Sequence, residues 1–172
     1  LASSRDTNRA EDIISTQMAR EHAFIHAFEP NEGDYDVILI DVAPSIGLFQ
    51  ACAMMYTRDV VVPVGMEMLS IQGALASINS ADSLNHFFHK DKKVVKTVGT
   101  LPVMVDRRMQ MTNTILEALD GIAARHNVPV MPLIRTDSSV VKAGRHRQFL
   151  QDFDPKSRAL EDYKGLAQLL RE

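Results

Sequence analysis

Four apolar residues, Val37-Ile38-Leu39-Ile40, run straight into the carboxylate of Asp41, and Val42-Ala43-Pro44-Ser45-Ile46-Gly47 follows. A short unbroken apolar run predicts a strand buried on both faces, as in parallel sheets. Pro44 has no amide donor and Gly47 loosens the backbone, so the strand is expected to stop at Asp41 and turn into a loop. An acid at the carboxyl end of such a strand stands where open α/β sheets take their ligands. Asp is short, hard and anionic, which suits Mg²⁺ in a nucleotide-hydrolysing site. It equally suits capping the helix that follows, or accepting a phosphoryl group.

Around this run, apolar segments alternate with helical patterns. Val60–Val64, Val94–Val105 and Val128–Ile134 read as further strands, with Pro63 near the end of one and Gly99 and Pro102 marking close approach and termination in another. Asn8–Phe28 reads as one or two helices, and Leu48–Tyr56 as a short apolar one. Ser70 is a candidate cap for a helix reaching about Phe88. Met111, Ile115, Leu119, Ile122 and Ala123 form an amphipathic stripe. Asp154-Pro155 has the form of a helix start, and Leu160, Tyr163, Leu166 and Leu170 share the face of a last helix. Strand–helix alternation predicts an α/β fold with a mostly parallel sheet flanked by helices. At 172 residues and 45% hydrophobic, the chain suits one domain, residues 1–172.

Composition narrows the function. The net charge of −3 excludes a polycation, yet Lys90, Lys92, Lys93 and Lys96, then Arg107 and Arg108, then Lys142, Arg145 and Arg147 cluster locally. Cys52 is the only cysteine, which excludes an internal disulfide and fits a reducing compartment. No apolar run approaches the ~20 residues of a membrane span. The first residue is Leu1 rather than Met, which fits an interior fragment or a processed chain. His22 and His26 sit one helical turn apart without the H-E-x-x-H glutamate, so they read as surface or packing residues. Cys52 and the nine methionines read as core.

Asp41-Val42-Ala43-Pro44-Ser45-Ile46-Gly47 resembles the D-x-P-P-S-x-G segment of ParA-type partitioning ATPases, which are deviant-Walker P-loop proteins. Val60–Val64 with Glu67, Leu69 and Gly73 resembles their next strand and helix. Gly99 through Asp106-Arg107-Arg108 is similar to their strand ending in a D-x-R loop, and Asp154-Pro155-Lys156-Ser157-Arg158 with Glu161 and Tyr163 is similar to the opening of their last helix. The resemblance runs through the chain in order. It departs in three places: Ala43 replaces a proline, Ile134-Arg135-Thr136-Asp137 stands near an expected Pro-Arg, and Lys142-Ala143-Gly144 replaces Glu-Ala-Pro. No phosphate-binding G-x-x-x-x-G-K-[ST] occurs, and the resemblance implies that it precedes Leu1.

The resemblance implies a P-loop NTPase-like fold, ATP and Mg²⁺ as cofactors, and cytoplasmic, nucleoid-associated action in plasmid or chromosome partitioning. Asp41 would be the catalytic acid, holding Mg²⁺ through water. Ala43, Pro44 and Ser45 would sense the γ-phosphate, and Arg135 and Asp137 would lie near adenine. Non-specific DNA would meet Arg107, Arg108, Lys142, Arg145 and Arg147. A nucleotide-dependent homodimer and a ParB-type partner are implied. The membrane-binding MinD branch ends in an amphipathic helix, whereas Arg171-Glu172 directly follows the last helix here, so no membrane partner is expected. Two alternatives stay open: a non-hydrolysing module of the same fold that binds DNA or protein, and another member of the MinD/ParA superfamily. If residues 1–172 are the natural full chain, no ATP hydrolysis is expected.

Overall fold

β-branched Val60, Val61 and Val62 open a strand that finds a neighbour 38 residues on, since the Lys96 N–H donates to the Arg58 carbonyl at 2.6 Å. The computed structural model describes residues 7–42, 47–90 and 92–171. Its helices are α1 (Thr7–Ser15), α2 (Ala23–Phe28), α3 (Leu48–Thr57), α4 (Met68–His89), α5 (Gln110–His126), α6 (Ser138–His146), α7 (Leu150–Phe153) and α8 (Arg158–Leu169). Strands β1 (Asp59–Val64) and β2 (Lys96–Pro102) pair side by side. The Val103 N–H donates to the Val64 carbonyl at 2.9 Å, so the two run parallel, with α4 as the crossover. The architecture is a parallel sheet flanked by helices.

A third lane lies beside β2 without forming a continuous strand. Isolated parallel bridges join Thr100 to Val130 and Val105 to Arg135. The strand expected over Val128–Ile134 is thereby reduced, and the cause is in the sequence: Pro129 and Pro132 cannot donate to a ladder. Backbone bonds persist where donors exist, from Met131 N–H to Thr100 O (2.8 Å) and from Ile134 N–H to Pro102 O (2.8 Å).

The chain divides into two compact units. Unit 1 comprises Leu1–Val60 and Ala76–Thr97. Its core is Met54, Met55, Ala81, Leu84 and Val95, with Ala51 and Val60 packed against it. Phe24, Phe28 and Tyr56 meet in series, the first pair edge-on at 5.2 Å and the second tilted at 5.4 Å between ring centroids. Cys52 is buried as expected.

Unit 1 also holds the main correction to the sequence reading. Residues 36–42 form no strand, and Leu39 is 86% exposed. A strand exists only through the backbone partners beside it, and among the described residues nothing pairs with residues 36–42. The expected two-sided burial fails with it, since Tyr35, Val37 and Ile38 are exposed as well.

Unit 2 comprises Val61–Leu75 and Val98–Glu172. Leu101, Met131, Ile134, Ala159 and Leu166 form its core cluster. The stripe of α5 is rotated by one position at its start: Thr112 is buried and Met111 points out. In α8 the inward residues are Ala159 and Leu166, while Tyr163 and Leu170 are exposed. The cap of α8 is Ser157, whose Oγ accepts from the Leu160 N–H at 3.3 Å, three residues beyond the expected Asp154. Helix α4 likewise starts at Met68, leaving Ser70 inside its first turn. The methionines are only partly core: Met54, Met55 and Met131 are buried, whereas Met18, Met68, Met104, Met109 and Met111 are exposed. Gly99 does mark a close approach, because a Cβ there would lie 2.6 Å from the Met131 Cγ.

Candidate functional site

The parallel lanes of unit 2 end on loops that gather charge. β2 stops at Pro102, Val105 bridges to Arg135, and residues 106–109 and 135–139 leave that level together. Met104 adopts a left-handed φ of 55°, uncommon for a bulky side chain, at the bend into the first loop. The carboxyl end of a parallel sheet is where such folds bind ligands.

Arginines dominate this rim. A cavity of ≈ 400 Å³ is lined by Val105, Leu133 and Asp106 together with Arg107, Arg108, Arg135 and Arg158. Three of the four are held in place by protein groups. Asp106 grips Arg108 through two bonds, from Nε to Oδ1 at 2.9 Å and from Nη2 to Oδ2 at 2.6 Å. The Arg108 guanidinium accordingly draws the Asp106 carboxyl down to about 2. Arg158 donates from Nη2 to the Thr136 carbonyl at 2.6 Å. Arg107 is exposed and makes no ion pair among the described residues.

Arg135 is the most heavily tied. Its Nη2 donates to Asp162 Oδ1 at 2.7 Å, to Glu161 Oε2 at 2.9 Å and to the Arg158 carbonyl at 3.1 Å. Its Nε and its backbone N–H each reach Asp162 Oδ2 at 2.9 Å. The fork of Arg135 lowers the Asp162 pKa, and the carboxylates raise that of Arg135. This network fixes the 135 loop to the first turns of α8.

Asp137 secures the same loop from its other side. It caps α6, its Oδ1 accepting from the Ser139 N–H at 2.9 Å, and its Oδ2 accepts from the Ser157 hydroxyl at 2.9 Å. Those bonds, the Ser139 amide first, lower its pKa to about 2. Ser139 in turn donates from its hydroxyl to Asp154 Oδ2 at 2.6 Å.

The expected site residues are thus distributed unevenly. Arg107, Arg108 and Arg135 come together at the cavity, whereas Asp137 caps α6 and does not line it. Lys142 and Arg145 are exposed on α6, three residues apart and so on one side of it, and Arg147 follows at its left-handed cap. Asp41 is exposed on the unpaired stretch of unit 1. Ala43, Pro44 and Ser45 lie outside the described residues. Sequence reasoning gave no role to Arg158 or Asp162. The signal available was a pair of acids in the first turns of α8, where negative charge favours a helix start. Among the described residues no three His, Cys, Asp or Glu side chains converge on a metal site.

A parallel α/β sheet with a charged cavity at its carboxyl edge defines an α/β fold whose ligand-binding edge is lined with arginines. A family model described as an AAA domain matches residues 1–94, more than half the chain. Over 159 residues the chain is 27% identical to the sporulation initiation inhibitor protein Soj of Bacillus subtilis, covering 92% of this chain and 60% of Soj. It is 24% identical over 165 residues to the chromosome partitioning protein ParA of Myxococcus xanthus, covering 96% of this chain and 56% of that one. The structure of cobyrinic acid a,c-diamide synthase from Mycobacterium smegmatis, with bound ADP and magnesium, superposes with a TM-score of 0.66 at 23% identity, over 85% of this chain and 62% of that one. The chain belongs to the ParA/MinD-type family of P-loop ATPases. It spans about 60% of the length of the Soj relative it matches.

Proposed function

We propose that the chain acts in a ParA-like ATPase that binds ATP with Mg²⁺ and non-specific DNA to drive plasmid or chromosome partitioning. The observation that carries this reading is the arginine-walled cavity at the carboxyl edge of the sheet, in a chain of this family. The apolar lining of Val105 and Leu133 suits the face of a base, and guanidinium planes suit stacking over it. Arg135 shapes that wall through Asp162 and Glu161, and Asp137 holds the loop that carries it. Both act by positioning rather than by free donors.

Asp41 would take one Mg²⁺ position through water, and its exposed hard carboxylate fits that donor chemistry, since Mg²⁺ keeps most of its waters and needs only one or two protein carboxylates. Ala43, Pro44 and Ser45 would order against the γ-phosphate. Arg107 is a freer phosphate contact than Arg108, because Asp106 already neutralises Arg108. Lys142, Arg145 and Arg147 would extend that contact. A nucleotide-dependent homodimer and a ParB-type partner complete the reading.

The test is the retention of DNA by the purified chain with ATP–Mg²⁺, with ADP and without nucleotide. Retention stimulated by ATP and lost in Asp41→Ala supports the proposal. A second reading, a non-hydrolysing module of the same fold, is favoured by the unpaired stretch that carries Asp41. It expects DNA retention indifferent to nucleotide and no phosphate release.

A further inference from the structure

Phe149 is 78% exposed, yet the chain on either side of it is fixed. Arg147 closes α6 in a left-handed turn, with a φ of 54°, and its N–H donates to the Gly144 carbonyl at 3.1 Å. The Gln148 N–H donates to the Ala143 carbonyl at 3.0 Å, which completes a Schellman cap and folds the chain back at once. Beyond the ring, the Asp152 and Phe153 amides both donate to the Phe149 carbonyl at 3.0 Å and open α7. Phe153 stacks on His146 at 5.5 Å between ring centroids and so ties α7 to the end of α6. A bulky aromatic ring is thus held in water on a backbone anchored before and after it.

The chain around this ring is cationic. From Ser138 to Gln151 it carries Lys142, Arg145 and Arg147, all exposed, and no acid. Asp152, exposed on α7, offsets one of the three. The flanking acids are half-buried and engaged: Asp137 accepts from the Ser139 amide and the Ser157 hydroxyl, and Asp154 from the Ser139 hydroxyl.

Cations alone serve a duplex, whose backbone phosphates call for charge. The ring adds what a duplex does not use. An unpaired base has a free π-face, and stacking on an aromatic side chain tolerates every sequence because every base has one. Cations beside an exposed ring therefore suit a single strand, with the charges following its backbone and the ring taking a base. An anchored backbone loses little further freedom on binding.

We infer that Phe149, with Lys142, Arg145 and Arg147, forms a binding site for unpaired nucleic-acid strands. The inference rests on the DNA-binding reading above and narrows it, adding a preference for single strands to cations already assigned to phosphates.

The experiment compares retention of oligothymidylate, oligouridylate and a duplex of equal length by the whole chain with ATP–Mg²⁺. Oligothymidylate is expected to bind more tightly than the duplex. Phe149→Ala should lower that affinity about tenfold, the weight of one stacked base, and leave duplex affinity unchanged. Phe149→Leu keeps apolar bulk without a π-face and should lose as much, whereas Phe149→Tyr should bind as the parent does. Lys142→Gln with Arg145→Gln should flatten the salt dependence for the single strand by about 0.7 in slope per contact removed. The sequence contains no tryptophan, so Phe149→Trp supplies a sole indole, whose fluorescence should fall when oligothymidylate is added. The ring is exposed, so unchanged circular dichroism is expected in each variant. Equal retention of oligouridylate assigns the site to unpaired strands of either sugar, and retention of oligothymidylate alone assigns it to DNA. Duplex binding without tighter single-strand binding overturns the inference and leaves the DNA reading standing, as does single-strand binding that survives Phe149→Ala or Phe149→Leu in full. Failure of the parent chain to bind any of the three overturns both.

Discussion

At the scale of single residues, Asp137 does more than its place beside the cavity suggests. One carboxylate ends the 135 loop, caps α6 and receives the hydroxyl of Ser157, the residue that caps α8. Asp137→Ala should lower stability by about 1–2 kcal/mol, the range for a lost N-cap, measured by thermal or urea unfolding. Its folded pKa of about 2 lies below the ordinary carboxylate value, so the ionised form is the one the fold favours. The stability it contributes is therefore fully present above pH ~5, falls as pH drops through the unfolded and then the folded value, and is absent below both. The variant should lose the part of the parent's acid sensitivity that falls in that window. Asp106 shifts the same way for a different reason, the fork of Arg108. Asp106 is half-buried but Arg108 is exposed to solvent, and salt should weaken that pair.

At the scale of elements, the sequence was most legible where period and punctuation agreed. β1 matched its β-branched run, and β2 ended at Pro102 as read. Gly99 announced a tight approach that Met131 makes real. Gly99→Val should press on the Met131 Cγ as well as its mobile end, costing about 1–3 kcal/mol in urea unfolding. What the sequence hid was cooperative. Pro129 and Pro132 were visible, yet how far they would thin the third lane depended on which Thr100 and Val105 groups stood opposite. Helix α8 starts at Ser157 rather than Asp154, whose carboxylate accepts from the Lys156 N–H and from the hydroxyl of Ser139, a partner 15 residues away that spacing alone does not reveal. In the site, arginines and the D-x-R loop could be read, whereas the acids that aim them could not. Asp162 is 27 residues from Arg135, and only the fold brings the two together.

At the scale of the whole molecule, a mildly acidic chain must concentrate its positive charge locally to hold a polyanion. The proposed DNA contact divides its cations between the cavity rim and α6. Arg107→Gln with Arg145→Gln should weaken DNA binding for every sequence alike and flatten its salt dependence by about 0.9 in slope for each phosphate contact removed. Arg108→Gln should do less, because its charge is already answered by Asp106 at 2.6 Å. An unchanged gel shift in the double variant rejects the assignment.

The stretch Val37-Ile38-Leu39-Ile40 carries a consequence of its own. Its residues are strong β-formers, several of them face water, and their amides and carbonyls bond to nothing among the described residues. Such a segment is a template in search of a complement, and any extended peptide of compatible pattern that lies along it gains both a ladder and a dry face. The acid that follows at Asp41 sets one limit on that zippering, because repeated copies would stack like charges in register. The same residue proposed for magnesium would therefore also oppose self-assembly along this stretch.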